Sequence, residues 1–210
     1  MTADATDALR PPSRPAQSGI RRLLSLVCLA VLMTWFAAVT PAAAAADAAV
    51  LYMERVAKDM MAAARTNSPA ALNAVITRHA DLSGIGLYAL GDSRPKLDPA
   101  DKSAYLAGMT RFIARYTAAE APKYPVAKVS FVQESRQAKY GVTVDSTVTL
   151  QDGTSYDVAW LLVGGGNSYR VRDAQVLNFW MTPFLKKLFE DYIAQNNGNV
   201  KALVAVLQRQ

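Results

Sequence analysis

The sequence predicts an α+β domain in which helices gather over one face of a curled antiparallel sheet. Three observations carry this expectation. Apolar residues recur at helical spacing before Pro125, alternate with period two from Val126 to Val176, and return to helical spacing after Pro183. Helices, then a block of strands, then helices again is the order expected of an α+β arrangement.

Taken in order, residues 48–80 read as two helices. Leu51, Val56, Met60 and Met61 line part of one face of the first, and Ser68-Pro69 gives the second an N-cap and a first-turn proline. Leu72, Val75 and Ile76 form its apolar stripe, which ends near His79. The short apolar segment DLSGIGLYALG follows, with Asp81 as cap and Gly91 as stop. Asp98-Pro99 opens a longer helix in which Tyr105, Met109, Phe112 and Tyr116 share a face.

The texture changes at Pro125. A four-strand antiparallel meander is expected, beginning with AKVSFVQES. In the second strand Tyr140, Val142, Val144, Val148 and Leu150 share one parity, against Thr143, Asp145, Thr147 and Thr149 on the other. Asp152-Gly153 makes the tight turn to TSYDVAWLLVG, and Gly164 to Asn167 the turn to SYRVRDAQV. Thr182-Pro183 then caps an amphipathic helix with apolar positions 184, 185, 188, 189, 192 and 193, and a last helix runs from Val200 to about Gln208.

The chain has 210 residues, 51% hydrophobic and 19% charged, with a net charge of +6. Its first residues are set apart. Arg10, Arg14, Arg21 and Arg22 precede an uncharged run from Leu23 to Val39, and Ala44-Ala45-Ala46 stands before Asp47. A basic segment, an apolar run and small residues are the parts of a secretory signal, so residues 1–46 are expected to be cleaved and 47–210 to form one domain. An uncleaved anchor is the alternative. Cys28 is a poor lipoprotein cysteine because it sits inside the apolar run, and IRRLLS has a faint twin-arginine character. Cleavage removes four Arg and two Asp from the +6 total, which leaves +4. These charges are scattered without a basic stripe, so nucleic acid is not an expected partner. Cys28 is the sole cysteine, so residues 47–210 have no disulfide or thiol chemistry.

Candidate chemistry is sparse. His79 is the only histidine, and one histidine without cysteine makes a zinc or copper site improbable. Gly164–Gly166 lies between strand patterns and reads as a turn. Asp145, Asp157 and Asp173 lie on strands with no spacing that pairs an acid with a base. No catalytic residue, metal or cofactor is expected. The apolar inventory is richer. Tyr156, Val158, Trp160 and Leu162 alternate with Asp157, Ala159, Leu161 and Val163, so this strand is apolar on both faces at its far end. A sheet in a small domain keeps one wet face. The surplus, with the aromatic junction NFWMTPFLKKLF, points either to a pocket between sheet and helices or to a solid core.

Several residues in this order resemble a known family. Leu90-Gly91 closes the short helix, Phe112, Tyr116 and Tyr124 follow, and YRVRDAQV runs into the helix with Phe189 before VKALVAVL. From about residue 48 to the end the chain resembles the MlaC-type periplasmic proteins, also described as toluene-tolerance auxiliary or ABC-transporter-associated. It is also similar in overall plan to a hopanoid-associated branch, HpnM. The resemblance implies a monomeric periplasmic carrier of a phospholipid or hopanoid-like lipid, working with an inner-membrane transporter of the ABC or RND type and an outer-membrane lipoprotein, without cofactor. It implies a cavity lined by Phe112 and Tyr116 from the helix, by Val142, Val144, Val148, Tyr156, Val158, Trp160 and Leu162 from the sheet, and by Phe179, Trp180, Met181, Phe184, Leu188 and Phe189 from the junction. Lys186, with the free N–H groups of Thr182–Leu185, is the head-group candidate. Where the family shows a glycine, then a serine and a leucine or methionine, this chain has Asn178, Trp180 and Met181. Tyr169 replaces a common tryptophan, and Lys186 a common arginine. Trp180 in place of a small residue reshapes the pocket mouth and leaves room for a rigid polycyclic lipid.

Transfer energetics agree with a carrier. Taking an acyl chain from a bilayer into water costs about 0.8 kcal/mol per CH₂, roughly 13 kcal/mol for a sixteen-carbon chain, so a carrier must shield nearly all of it. Two rival classes stay open. One is an isomerase or hydrolase on a scaffold that resembles an NTF2-like or cystatin-like cone, using His79, Asp145 or Asp173 on an apolar substrate. The other is a membrane-tethered scaffold that keeps residues 23–39.

Overall fold

The computed structural model describes residues 47–209, and the signal expected over residues 1–46 lies outside the described residues. Helix α1 (Ala48–Ala64) is opened by Asp47, whose Oδ1 accepts the backbone N–H groups of Ala49 and Val50 at 2.8 and 3.3 Å. Its Oδ2 accepts the backbone N–H and hydroxyl of Ser135 at 2.8 and 2.7 Å. One carboxylate therefore caps the helix and ties it to the sheet edge. Burial pushes the Asp47 carboxyl up, and the bonds from Ser135, Ala49 and Val50 outweigh it, so the group rests below its ordinary value.

Helix α2 (Pro69–His79) has the expected cap, with the Ser68 hydroxyl accepting the Ala71 N–H at 3.3 Å. At its end His79 reaches back to α1. Its Nε2 lies 2.9 Å from Asp59 Oδ2 and its Nδ1 3.3 Å from the Tyr52 hydroxyl, which donates to the His79 carbonyl at 3.1 Å. The hydrogen bond and charge of His79, and after them the hydrogen bond and charge of Arg78, outweigh burial and hold the Asp59 carboxyl below its ordinary value. A depressed carboxylate adds stability above its unfolded pKa and loses it as pH falls through the folded one. Asp59→Asn is thus expected to lower the melting temperature at about pH 6 and to change it little at about pH 2. Thermal melts at the two pH values check this.

Helix α3 (Leu82–Ala89) starts where the chain is sewn onto the sheet. Ala80 bridges Val171, the Asp81 N–H donates to the Val171 carbonyl at 2.9 Å, and Asp81 Oδ1 accepts the Gly84 N–H at 3.0 Å. A 3-10 turn at Pro99–Asp101, capped by Asp98, leads into α4 (Lys102–Glu120). The buried Tyr105 hydroxyl donates to the Gly86 carbonyl at 2.8 Å, and burial pushes its pKa far up. Helix α6 (Val200–Gln208) crosses α4 at Gly108, where a Cβ would stand 2.8 Å from Leu207 Cβ and 3.0 Å from its carbonyl oxygen. Gly costs a helix about 1 kcal/mol relative to Ala. Here it admits a close helix crossing that no other residue allows without a shift.

The sheet consists of β1 (Val126–Phe131), β2 (Arg136–Ala138), β3 (Gly141–Leu150), β4 (Ser155–Val163), β5 (Arg170–Val176) and β6 (Phe179–Trp180), all paired antiparallel. The expected meander is present with two corrections. Its first strand is broken, so that β1 and β2 both pair with β3, one beyond the other. Its last strand does not run straight into a helix; it turns back at Leu177 and Asn178, both at positive φ, to add β6. The register sets Val142 opposite Leu162 and Val144 opposite Trp160. Val142, Val144 and Leu162 are buried in one cluster with Ala49, Val50, Tyr52, Met53 and Val56 of α1. On the other parity Arg136 grips Asp145 with two hydrogen bonds of 2.8 Å, and Thr147 donates to Asp157 at 2.9 Å. A second apolar cluster, built on Tyr105, Met109, Phe189, Ile193, Leu203 and Leu207, joins the helices α4, α6 and α5 (Met181–Gln195). A third, with Ala63, Leu72, Val75 and Ala114, joins α1, α2 and α4.

Candidate functional site

The site forms where α5 leaves the sheet. The cap expected at Thr182-Pro183 is supplied differently: α5 begins at Met181, and Trp180 at the N-cap makes no side-chain cap bond. Asp173 on β5 takes that role. Its Oδ1 accepts the N–H of Thr182 at 2.9 Å and that of Ala174 at 2.8 Å, placing a carboxylate at the positive end of the helix. The buried Thr182 hydroxyl donates to the Arg172 carbonyl at 3.3 Å. Helix and strand are thus joined twice. The N–H groups expected to cradle a phosphate are also largely spent, because Thr182's is bound and Pro183 has none.

From this anchor α5 runs along α3 and faces α4, and its apolar stripe divides. Leu185, Phe189 and Ile193 turn inward. Phe189 packs edge-on to Tyr105 at 6.2 Å between ring centroids and tilted to Phe112 at 6.0 Å. Met181, Phe184 and Leu188 stay on the flank, 41%, 62% and 42% exposed, opposite Tyr116 at 57%. Between α4, α5 and β5 lies a cavity of about 330 Å³, open to solvent. Its walls are Ile85, Phe112, Ile113, Tyr116, Val171, Ala174, Met181, Phe184, Leu185 and Leu188, and its polar edge is Thr117, Arg172, Asp173 and Thr182. This size is at the lower end of the roughly 300–1,000 Å³ found for small-molecule sites.

Of the expected lining residues the cavity brings together Phe112, Tyr116, Met181, Phe184 and Leu188. The sheet residues lie elsewhere, for a packing reason: α1 covers their face. Val142, Val144 and Leu162 are buried under it, and Trp160 packs against the same cluster while its indole N–H donates to Ser146 at 2.9 Å. Val158 is buried on β4, and Val148 and Tyr156 face each other, half-buried, near the Asp152-Gly153 turn. Phe189 stands behind the cavity wall in the helix core. Phe179 is 72% exposed and Trp180 half-buried on β6, and neither lines the cavity. Lys186 is held by Glu190 one turn on, which raises its pKa, and it lies outside the cavity beside Gly91.

Sequence reasoning did not find Ile85, Ile113, Val171, Ala174 or Arg172. The unbroken apolar character of LSGIGLYA was a signal that α3 is covered on more than one side. Arg172 carried none, since a charged residue on a strand usually faces water. The groups named for the rival enzyme reading are engaged in the fold: Asp145 with Arg136, Asp173 at the start of α5, and His79 with Asp59 and Tyr52. A second hollow of about 650 Å³ lies between α1 and β1. Glu54, Lys58, Arg65 and Lys128 on its walls make it a poor seat for an alkyl chain.

No helix among the described residues is long and apolar enough to cross a membrane. The fold is similar to that of a phospholipid-binding protein from Ralstonia solanacearum solved in complex with a phospholipid, with a TM-score of 0.62 and 21% identity over 76% of this chain and 94% of that one. No curated protein matches the chain. The model of the MlaC protein family matches residues 49–209, and the chain belongs to that family.

Proposed function

We propose that the protein is a periplasmic lipid carrier. It shields the apolar part of a phospholipid in the cavity between α4, α5 and β5 and passes it between membranes as a monomer, with an inner-membrane transporter on one side and an outer-membrane lipoprotein on the other. The observation that carries this reading is the cavity itself. Tyr116, Met181, Phe184 and Leu188 expose large apolar surface around one opening, where most of a protein's exposed apolar side chains stand singly. Family membership and the phospholipid held by the relative of similar fold support it. The volume suits one apolar arm, and a second chain requires the exposed flank of α5 to swing outward. A hopanoid-like lipid is the second reading, favoured by the aromatic side chains of Phe112, Tyr116 and Phe184 on the cavity walls, which suit a flat ring system.

Transfer between vesicles tests the proposal. The protein is expected to accelerate movement of a fluorescent phospholipid from donor to acceptor vesicles, with excess unlabelled phospholipid in the donor suppressing the signal. Suppression by a hopanoid alone would select the second reading. No acceleration with either lipid would overturn both.

A further inference from the structure

Among the described residues Arg172 is the one cation on the cavity wall, and its position is unusual for a charged side chain. It occupies the extra residue of a bulge in β5, where the register with β4 shifts between Leu161 and Leu162, so the strand turns it toward α3 instead of leaving it on a wet face. Its side chain is only 23% exposed, and its guanidinium carbon stands 5.9 Å from the centre of the Tyr88 ring. Nη1 is buried without a hydrogen-bond partner among the described residues. Asp81 Oδ2, 3.7 Å away, forms an ion pair with it but is too far for a hydrogen bond, and the other oxygen of Asp81 is committed to the Gly84 N–H. Asp173, the second acid at this edge, has Oδ1 committed to the start of α5. Gly84 completes the arrangement, because a Cβ there would collide with both Asp81 Oδ2 and Arg172 Nη1.

A buried charged donor without a hydrogen bond is costly, and such a group is satisfied by a water, an ion or a ligand. The guanidinium fork matches the oxygens of a phosphate or carboxylate. We propose that Arg172 is the head-group anchor of the cavity, and that the ligand is an amphiphile whose chain lies along Phe112, Tyr116, Phe184 and Leu188 while an oxyanion at its head takes the guanidinium. This rests on the lipid-carrier reading and adds the chemistry of the head. It places the anionic contact on β5, away from Lys186, whose ammonium is already held by Glu190.

Binding of three single-chain probes tests it, using protein expressed from the full coding sequence and stripped of lipid. The probes are lauroyl lysophosphatidylcholine, laurate and monolauroylglycerol, which share a chain and differ in carrying a phosphodiester, a carboxylate or no charge. At least one oxyanion-bearing probe is expected to bind about tenfold more tightly than monolauroylglycerol, equivalent to about 1.4 kcal/mol, and the tighter of the two identifies the head. Arg172→Met is expected to abolish that preference, read as the ratio of the affinities for the charged probe and monolauroylglycerol in the same variant. Should Arg172→Met fail to fold, Arg172→Lys reads the same ratio, because a single shorter ammonium loses the fork and is expected to reduce the preference severalfold. Equal affinity for all three probes in the wild type, or a preference unchanged in the variant that folds, would overturn the anchor and leave the carrier intact. Failure of the wild type to bind any probe would overturn the carrier reading and the anchor with it.

Discussion

Leu188→Asn is expected to reduce lipid affinity roughly a hundredfold while lowering the melting temperature of the lipid-free protein by only a few degrees. Leu188 lies on the cavity wall and is 42% exposed, so much of its side chain meets water when the cavity is empty. Its replacement therefore forfeits only part of the roughly 1.5–3 kcal/mol that full burial of a leucine is worth. In the loaded protein the same position faces an alkyl chain. An amide there has no partner and costs about 1–3 kcal/mol, added to the apolar contact that is lost. A total near 3 kcal/mol is about a hundredfold in affinity. Probe titration and thermal melts of the lipid-free variant read the two effects separately. Equal loss in both would mean that Leu188 acts as core.

Phe189→Ala, one residue further along the same helix, is expected to do the reverse. Phe189 is 2% exposed and packs against Tyr105 and Phe112. Truncating such a phenylalanine costs about 3–5 kcal/mol. Each kcal/mol shifts the midpoint of a domain of this size by about 2–4 °C, so a fall of roughly 6–20 °C follows. Since a domain has about 5–15 kcal/mol of stability in all, the variant sits near the threshold of folding at growth temperature. Its affinity per folded molecule is expected to change far less than that of Leu188→Asn, because Phe189 supports the wall from behind. Thermal melts with probe titration of the folded fraction check this. The two neighbours divide α5 into a structural face and a ligand face.

That division was only half legible in the sequence. The positions 184, 185, 188, 189, 192 and 193 read correctly as one amphipathic stripe, and the alternation around Val142 and Val144 read correctly as a strand facing helices. Local periodicity says which side of an element is apolar, and nothing about what covers it. The sheet residues belong to α1, whose own stripe of Val50, Met53 and Val56 meets them, and that pairing joins segments about ninety residues apart. The cavity depends on α3, α4, α5 and β5 meeting, so Ile85, Ile113 and Val171 show no site signature along the chain. Asp173 was legible as a strand acid and not as a helix cap, because a cap drawn from nine residues upstream breaks the usual local pattern. Arg172 required the bulge to be seen.

The carrier account stands most directly on whether the natively purified protein holds a lipid in this cavity. Native mass spectrometry of protein expressed from the whole sequence and purified without detergent, followed by solvent extraction, answers it in one preparation. The predicted result is a chain cleaved between Ala44 and Asp47 carrying one lipid, with that lipid lost in Leu188→Asn at unchanged fold. A chain that carries no lipid in native preparations, or a lipid retained undiminished by Leu188→Asn, would contradict it.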